Sequence, residues 1–452
     1  MYTYMEKTVP DLNINKESLF TSKKDECLLN TYTSSDTFIK RYSVVTTYED
    51  LEKYLPNDQI LHDTGKYILD YHKKGIYVSF KNGKLRHFLF LNKVNFIAPY
   101  QDKIKVNPYI KLDPKTKFRL TQCLLRTSES KRELKQIDFY MMEVLYFLKE
   151  LEKEKNKSIP DCNFYINYKD QVLIHNVNGV NYNPFVDAFG KVPLDDEWQK
   201  FKLGRLFSFS TIKNYQDIPF VTPDDIIRIF KIYTADENNK CVNTYDHEKL
   251  DIKWEDKKEI AFWRGTSTGC GNDIYSNARM KLAYLSNKWS DEPKILDAKI
   301  VKWAYKLKKS EKDSMFNRIN TKKLNSLGIE LGDKVPIEEL YKYKYVINVD
   351  GNVGAYRLGF LFSLNSVVFI VEGKYKLWFQ DKLVENKHYI SVKSDLSNLK
   401  EKIWWCKNHD SECKEIAKNA LKFHQETFNK ENTFDYTIEM MNKMNNLFSN
   451  IK

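Results

Sequence analysis

The stretch Tyr343–Val371, YKYVINVDGNVGAYRLGFLFSLNSVVFIV, constrains the fold more than any other part of this chain. It reads as strand, tight loop, helix and strand, one βαβ unit, and such a unit calls for a parallel sheet flanked by helices. Further β-rich runs stand at Phe164–Asn167, Leu206–Phe209, Ile260–Trp263, Ile295–Ala298 and Tyr389–Val392, with helical patterns between several of them. The alternation predicts an α/β protein. Before it, IYVSFKNGKLRHFLFL at Ile76–Leu91 predicts a hairpin turning at Asn82-Gly83. A helix is expected over Lys131–Lys153, with Leu134, Ile137, Met141, Leu145 and Leu148 on one stripe. Three helices are expected at the end, one capped by Asp395, one over Cys413–Phe428 and one over Tyr436–Phe448. The charged run Tyr245–Glu259 reads as a linker between two α/β units.

Composition narrows the function classes. Hydrophobic residues make up 42% of the 452, so a disordered chain is excluded. The longest mostly apolar run, Leu358–Val371, is too short to span a bilayer as a helix, which needs about 20 residues. The net charge of +12 comes from 62 lysines and only 11 arginines, mixed with acids along the whole chain. That is a solvated surface rather than an arginine-rich nucleic-acid patch, so nucleic acid is not the expected partner. Seven cysteines without a CxxC pair suggest neither a disulfide framework nor structural zinc. The N-terminal residues carry no apolar signal segment, and the last three residues, Asn450-Ile451-Lys452, form no retention tail. The expectation is a cytoplasmic or otherwise non-secretory setting.

Two loops can carry chemistry. In DGNVG, Gly351 and Gly354 let backbone approach a ligand, and Arg357 follows where a helix begins. The spacing is GxxG, so the dinucleotide fingerprint is absent. In AFWRGTSTGCGNDIYSNARMKLAYLS, a strand ends at Trp263-Arg264-Gly265, a loop of small hydroxylated residues and glycines follows, and a helix bears Arg279. Two such units, each with an early arginine, can converge on a diphosphate. Structural ion pairs for Arg264 and Arg279 remain the alternative. A third motif, PDCNFYINYKD, places Asp170 just past the carboxyl end of a short strand, where open α/β sheets bind ligands.

Taken in order, PDCNFYINYKD, FSFS with YQDIP, AFWRG, NARMKL, LDA, the Tyr341–Phe369 block, HYISVKSDLSNLKEKI and EIAKNALKF resemble the Rumi-like protein O-glucosyltransferases, glycosyltransferase family 90 with its CAP-type domain. The resemblance covers about residues 158–430. It implies a GT-B architecture, two Rossmann-like domains facing a cleft, here with an extra N-terminal α+β region. The implied division is an extension with the hairpin over 1–115, an acceptor-side domain over 116–255 joined by a C-terminal helix from 431–452, and a donor domain over 256–430. The family implies inverting, metal-independent transfer from a UDP-sugar to a hydroxyl of a protein or glycan acceptor. No clean DxD motif opposes this. By motif position Asp170 resembles the catalytic base. Thr266, Arg279, Asn352, Val353, Gly354, Ala355, Tyr356 and Arg357 resemble the donor site, with Arg264, Gly265, Gly351 and Asp217 beside it. No cofactor beyond the UDP-sugar substrate is expected.

Some positions depart from the family pattern. Tyr168-Lys169 precede Asp170 where relatives often carry an arginine, the loop between Gly265 and Arg279 is longer, and Ala355 replaces a common serine. Glucose and xylose are the expected sugars, and Asp161 and Asp217 are the next candidates for the base. The other class to weigh is a non-catalytic module derived from such a transferase, holding a glycan, a nucleic acid or a protein.

Overall fold

The structure, a computed structural model, describes residues 42–72, 74–92, 139–167, 172–175, 196–231, 234–235, 241–242, 250, 252–290, 293–305, 308–309 and 316–449. Two α/β units, each built on one sheet, lie side by side. In the first, β1 (Tyr42–Val45), α1 (Gln59–Lys66), β2 (Lys74–Lys81), β3 (Lys84–Asn92), α2 (Phe139–Lys155), β4 (Cys162–Asn167), β5 (Leu206–Ser208), β6 (Thr211–Ile212), β7 (Ile218–Pro219) and α3 (Pro223–Phe230) follow in chain order. Its sheet runs β1-β3-β2-β4-β5-β7. β4, β5 and β7 are mutually parallel, while β2 is antiparallel to both β3 and β4.

The hairpin turns where the sequence places it. Asn82 and Gly83 take φ of 52° and 69°, the two left-handed positions of a type I′ turn. Alternation then sorts the side chains of β2 and β4 onto two faces. Ile76, Val78, Phe164 and Ile166 pack with Phe147, Leu148 and Leu151 of α2. Tyr77 and Tyr165 belong to the other face, with Leu51, Tyr67 and Ile68.

The second unit holds β8 (Lys258–Thr266), α4 (Ala278–Lys288), β9 (Leu296–Lys302), β10 (Tyr343–Asn348), α5 (Leu358–Leu361), β11 (Val367–Val371), β12 (Tyr375–Lys376), β13 (Ile390–Val392), α6 (Leu399–Asn408) and α7 (Asp410–Thr427). Its five-stranded sheet is parallel throughout, in the order β9-β8-β10-β11-β13. All six residues of β10 are buried, as a central parallel strand requires.

Three features fasten the units together. β6 of the first pairs antiparallel with β12 of the second, Ile212 opposite Tyr375. One apolar cluster runs through both, with Phe207, Phe220 and Ile226 from one side and Val346, Leu358 and Phe379 from the other. The last helix, α8 (Lys430–Phe448), leaves the second unit and lies on the first. Phe434 meets the rings of Phe147 and Phe230 at 5.5 and 5.6 Å, Tyr436 Oη donates to Pro219 O at 2.6 Å, and Asn445 Nδ2 donates to Asp161 O at 2.9 Å.

The structure amends four expectations. The hairpin is no separate extension, since β2 sits between β3 and β4 in the first unit's sheet. Residues 252–259 are no free linker: Trp254 is buried and donates to Asp410, and β8 already begins at Lys258. The helix after DGNVG is a single turn, Leu358–Leu361, continued by a 3₁₀ turn, so it contributes little macrodipole. Asp395 accepts from Ser397 N in a turn ahead of α6 rather than capping it. Of the expected helix over Lys131–Lys153, residues before Phe139 lie outside the described ones. No described helix is long and apolar enough to cross a membrane.

Phe434 is fully buried and joins α8 to α2 and α3. Phe434→Ala is expected to lower unfolding free energy by about 3–5 kcal/mol, read from urea titration. A loss under about 1 kcal/mol would show that α8 contributes little to the first unit.

Candidate active site

In the second unit the strands of the parallel sheet stand in the order 2-1-3-4-5 of their appearance. The chain therefore leaves β8 toward one side and β10 toward the other, and a crevice opens where the direction reverses, outside the carboxyl ends of these two strands. The register Phe262 opposite Val346 brings Thr266 and Asp350 out at the same end. The two loops singled out in the sequence therefore meet at this crevice.

Arg279, in the first turn of α4, ties them together. Its Nη1 donates to Thr266 O at 3.0 Å and to Thr268 Oγ1 at 2.6 Å, its Nε to Asp350 O at 3.0 Å, and its Nη2 to Val349 O at 2.8 Å. Asn277 aims the helix start by accepting from the amides of Arg279 and Met280. Burial and the nearby charge of Arg357 pull the Arg279 guanidinium down to about 9. A Cβ on Gly351 would stand 2.8 Å from Thr268 Oγ1 and 3.0 Å from Arg279 Nη2, so the close approach of the loops leaves little room there for a side chain. Gly269 N donating to Asn352 Oδ1 at 3.2 Å adds a second tie. Asp350, raised to about 6 by burial, accepts from Ala355 N at 3.3 Å and folds the DGNVG turn back on itself.

Arg357 is placed differently. Its Nη1 donates to Arg264 O at 2.7 Å, and its Nε has no partner among the described residues. It and Arg279 stand on the buried Trp263 ring, at 5.9 and 5.8 Å from the centroid. Burial brings Arg357 down to about 10, with Asp224 of α3 acting the other way. Of the two readings left open for the early arginines, Arg264 takes the structural one. It forms an ion pair with Asp297 at 3.0 Å and stacks over Phe262. Thr266 closes β8 with its carbonyl on Arg279, and Gly265 lies against the Trp263 ring. Val353, Gly354 and Ala355 are buried, and Tyr356 turns toward the first unit, 6.0 Å from the ring of Phe209.

That last contact sets the carboxyl end of β5 beside the crevice. There, Asp217 accepts from Leu173 N and Ile174 N at 2.8 Å each and from Ser208 Oγ at 2.6 Å, while Asn167 Nδ2 donates to Ser208 Oγ at 3.0 Å. Asp170 lies outside the described residues. Asp217 itself is no candidate base: it is 3% exposed and both its oxygens are occupied. Asp161 is excluded by position, because it sits at the amino end of β4, bound to Asn82 N at 2.6 Å.

Across the junction, Asp225 in the first turn of α3 accepts from Trp378 Nε1 at 2.9 Å and from Thr222 Oγ1 at 2.7 Å. Further along the same helix, Arg228 stacks over Phe360 at 4.2 Å.

The model of glycosyl transferase family 90 matches residues 130–450. The chain belongs to this family. This family 90 chain is 34% identical over 190 residues to protein O-glucosyltransferase 2 of Danio rerio, which covers 42% of the chain and 33% of that protein. It is 26% identical over 424 residues to uncharacterized protein 035R of Invertebrate iridescent virus 3, covering 85% of the chain and 36% of that protein. The chain spans 36–40% of the length of its viral relatives from Invertebrate iridescent viruses 3 and 6 and Frog virus 3. Among solved structures, a point mutant of S. aureus TarM in complex with Fondaparinux, alpha-GlcNAc-glycerol and UDP aligns at 14% identity over 55% of the chain and 43% of that protein, with a TM-score of 0.32. The family match starts after the hairpin, yet strands from both sides of residue 130 share one sheet.

Sequence reasoning passed over Thr268, Asp350 and Trp263, which meet Arg279 where the two loops join. Asp350 and Thr268 stand inside the motifs but were overshadowed by the glycines beside them.

Burial raises Asp225 to about 7 and Asp217 to about 6. A folded-state pKa above the unfolded value means proton uptake on folding, so the stability tied to each group is present at low pH and lost as pH rises through about 6–7. Asp225→Asn keeps an acceptor for Trp378 and does not titrate. The melting temperature of this variant is expected to change less between pH 5.5 and 8 than that of the parent, the parent losing more toward pH 8. Equal changes in both would show that Asp225 does not titrate in this window.

Proposed function

We propose that this chain is an inverting, metal-independent glycosyltransferase that moves a sugar, glucose or xylose first among the candidates, from a UDP-sugar to a hydroxyl of a protein or glycan acceptor. The observation that carries the reading is the meeting of the 264–279 and 350–357 loops at the switch point of a family 90 chain, with Arg357 Nε free of partners among the described residues. The similarity to protein O-glucosyltransferases of Danio rerio and Rattus norvegicus supports the donor class.

In this reading the diphosphate lies over the 351–357 turn. Arg357 and the amides near Asn352 and Val353 meet the charge that grows on the leaving UDP, without a metal ion. Arg279 acts one step removed: its donors hold the backbone of both loops, so it shapes the cradle. Asp170 takes the proton of the acceptor hydroxyl as the hydroxyl attacks the anomeric carbon from the face opposite UDP. One displacement inverts that carbon. The acceptor approaches from the first unit, and the fastened junction limits entry of water, which would otherwise hydrolyse the donor.

The test is release of UDP from UDP-glucose, UDP-xylose and UDP-galactose, with and without acceptor, in EDTA and in added Mg²⁺. Acceptor-stimulated release, unchanged within about twofold by EDTA, is expected. Binding of glycans without release from any donor would favour a non-catalytic module. Asp170→Asn should lower transfer by a factor of about 10² or more with donor affinity nearly unchanged. Near-parental transfer by that variant would place the base elsewhere. Arg357→Ala removes a charge-assisted contact and should weaken UDP-sugar binding about tenfold as well as turnover, measured by titration calorimetry and initial rates.

A further inference from the structure

Between the edge strand β13 and the helices α6 and α7 lies a cavity of about 520 Å³, within the size range of small-molecule sites. β11 stands between β13 and β10 in the sheet, and no residue of the two crevice loops lines this cavity. Ile390 and Ile416 are buried and form its floor. The half-buried Lys402, Trp405 and Asn419 form its inner wall. The Trp405 ring is held in place, because His409 stacks on it at 4.6 Å and 13° and His409 Nδ1 donates to Trp405 O at 2.8 Å. The indole N–H of Trp405, the ammonium of Lys402 and the amide of Asn419 make no hydrogen bond among the described residues. Glu401, Glu412 and Glu415 stand at the rim with Asn386, all exposed to water.

This layout decides between classes of ligand. The rim carboxylates repel an anion, so the cavity is no second site for a nucleotide or a phosphate. Standing in water, the same carboxylates are screened and hold a cation weakly, and Lys402, the charged side chain of the inner wall, is itself a cation. Floor and wall offer an aromatic ring, two aliphatic side chains, and unspent donors and acceptors around them. A sugar ring has the complementary surface, with C–H groups on its faces and hydroxyls, each both donor and acceptor, around its edge. We propose that this cavity binds a neutral sugar unit of a glycan, packed against Trp405, with its hydroxyls on Asn419, Lys402 and the rim carboxylates. It is a grip on a glycan apart from the crevice, and binding here needs neither UDP nor Asp170.

The experiment is titration calorimetry of the full chain, without nucleotide, with maltotriose, xylotriose and tri-N-acetylchitotriose, and with trilysine as a basic probe. At least one oligosaccharide is expected to bind the parent, and its affinity to fall about tenfold or more in Trp405→Ala. Asn419→Ala leaves the ring and its stack on His409 in place; affinity is expected to fall there too, which serves if the tryptophan variant does not fold. In Arg357→Ala the affinity is expected to stay within about twofold of the parent. No binding by any of the oligosaccharides overturns the inference, as does binding that survives both cavity variants. An equal loss in Arg357→Ala would put the sugar in the crevice and overturn it as well. Binding of trilysine alone, lost in Glu401→Gln, would mean that the rim takes a basic peptide and the cavity no sugar. A chain that binds oligosaccharide as expected but releases UDP from no donor keeps this site and loses only the transferase reading.

Discussion

The candidate site depends on one arginine. Arg279 donates four hydrogen bonds, three to backbone carbonyls at the ends of two adjacent strands and one to Thr268. A planar guanidinium with donors in a rigid fork suits this work, and a lysine, with one nitrogen, cannot span the same carbonyls. With β8 and β10 closed in this way, the DGNVG turn has a fixed shape, and Arg357 is set beside Trp263 with part of its fork unused among the described residues. The two arginines that look alike in the sequence therefore divide their roles. One ties the two loops together, and the other holds Arg264 O and keeps its Nε without a hydrogen-bond partner among the described residues.

The second constraint is the junction. Open α/β units that meet only at a cleft can move freely against each other, but here a two-stranded ladder, a shared apolar cluster and a returning helix join them. Polar groups at the same seam are partnered across it, as with Trp378 and Asp225. The position of α3 follows from these contacts, with Asp225 on Trp378 and Arg228 over Phe360. The geometry of the crevice is thus a property of both units together.

Much of this was legible from residues alone because it is local. The strand run at Phe164–Asn167 coincides with β4 to within about two residues, and the strand–loop–helix–strand unit at Tyr343–Val371 opens with β10 and closes with β11, since alternation and apolar runs report directly on burial. Asn82-Gly83 fixed its turn because few other pairs take two left-handed conformations in succession. The linker expected at Tyr245–Glu259 failed in its second half for the opposite reason. Its charges looked solvated, yet Lys257 donates to Leu364 O, Asn365 O and Ser366 Oγ and Trp254 donates to Asp410, partners that lie 107 to 156 residues further along the chain.

By itself the sequence determined the class of the fold, the order of its strands and helices, and the two loops that meet at the carboxyl ends of β8 and β10. Each of these follows from residue type and spacing over short stretches of chain. Tertiary structure alone decided that the hairpin joins the first unit's sheet, that Asp217 is a buried anchor and not a base, and that Arg264 is consumed by Asp297. The physical reason is the same in every case. Whether a polar side chain is free or occupied depends on its hydrogen-bond partners, and these are brought to it by strand pairing and packing between segments far apart in the chain.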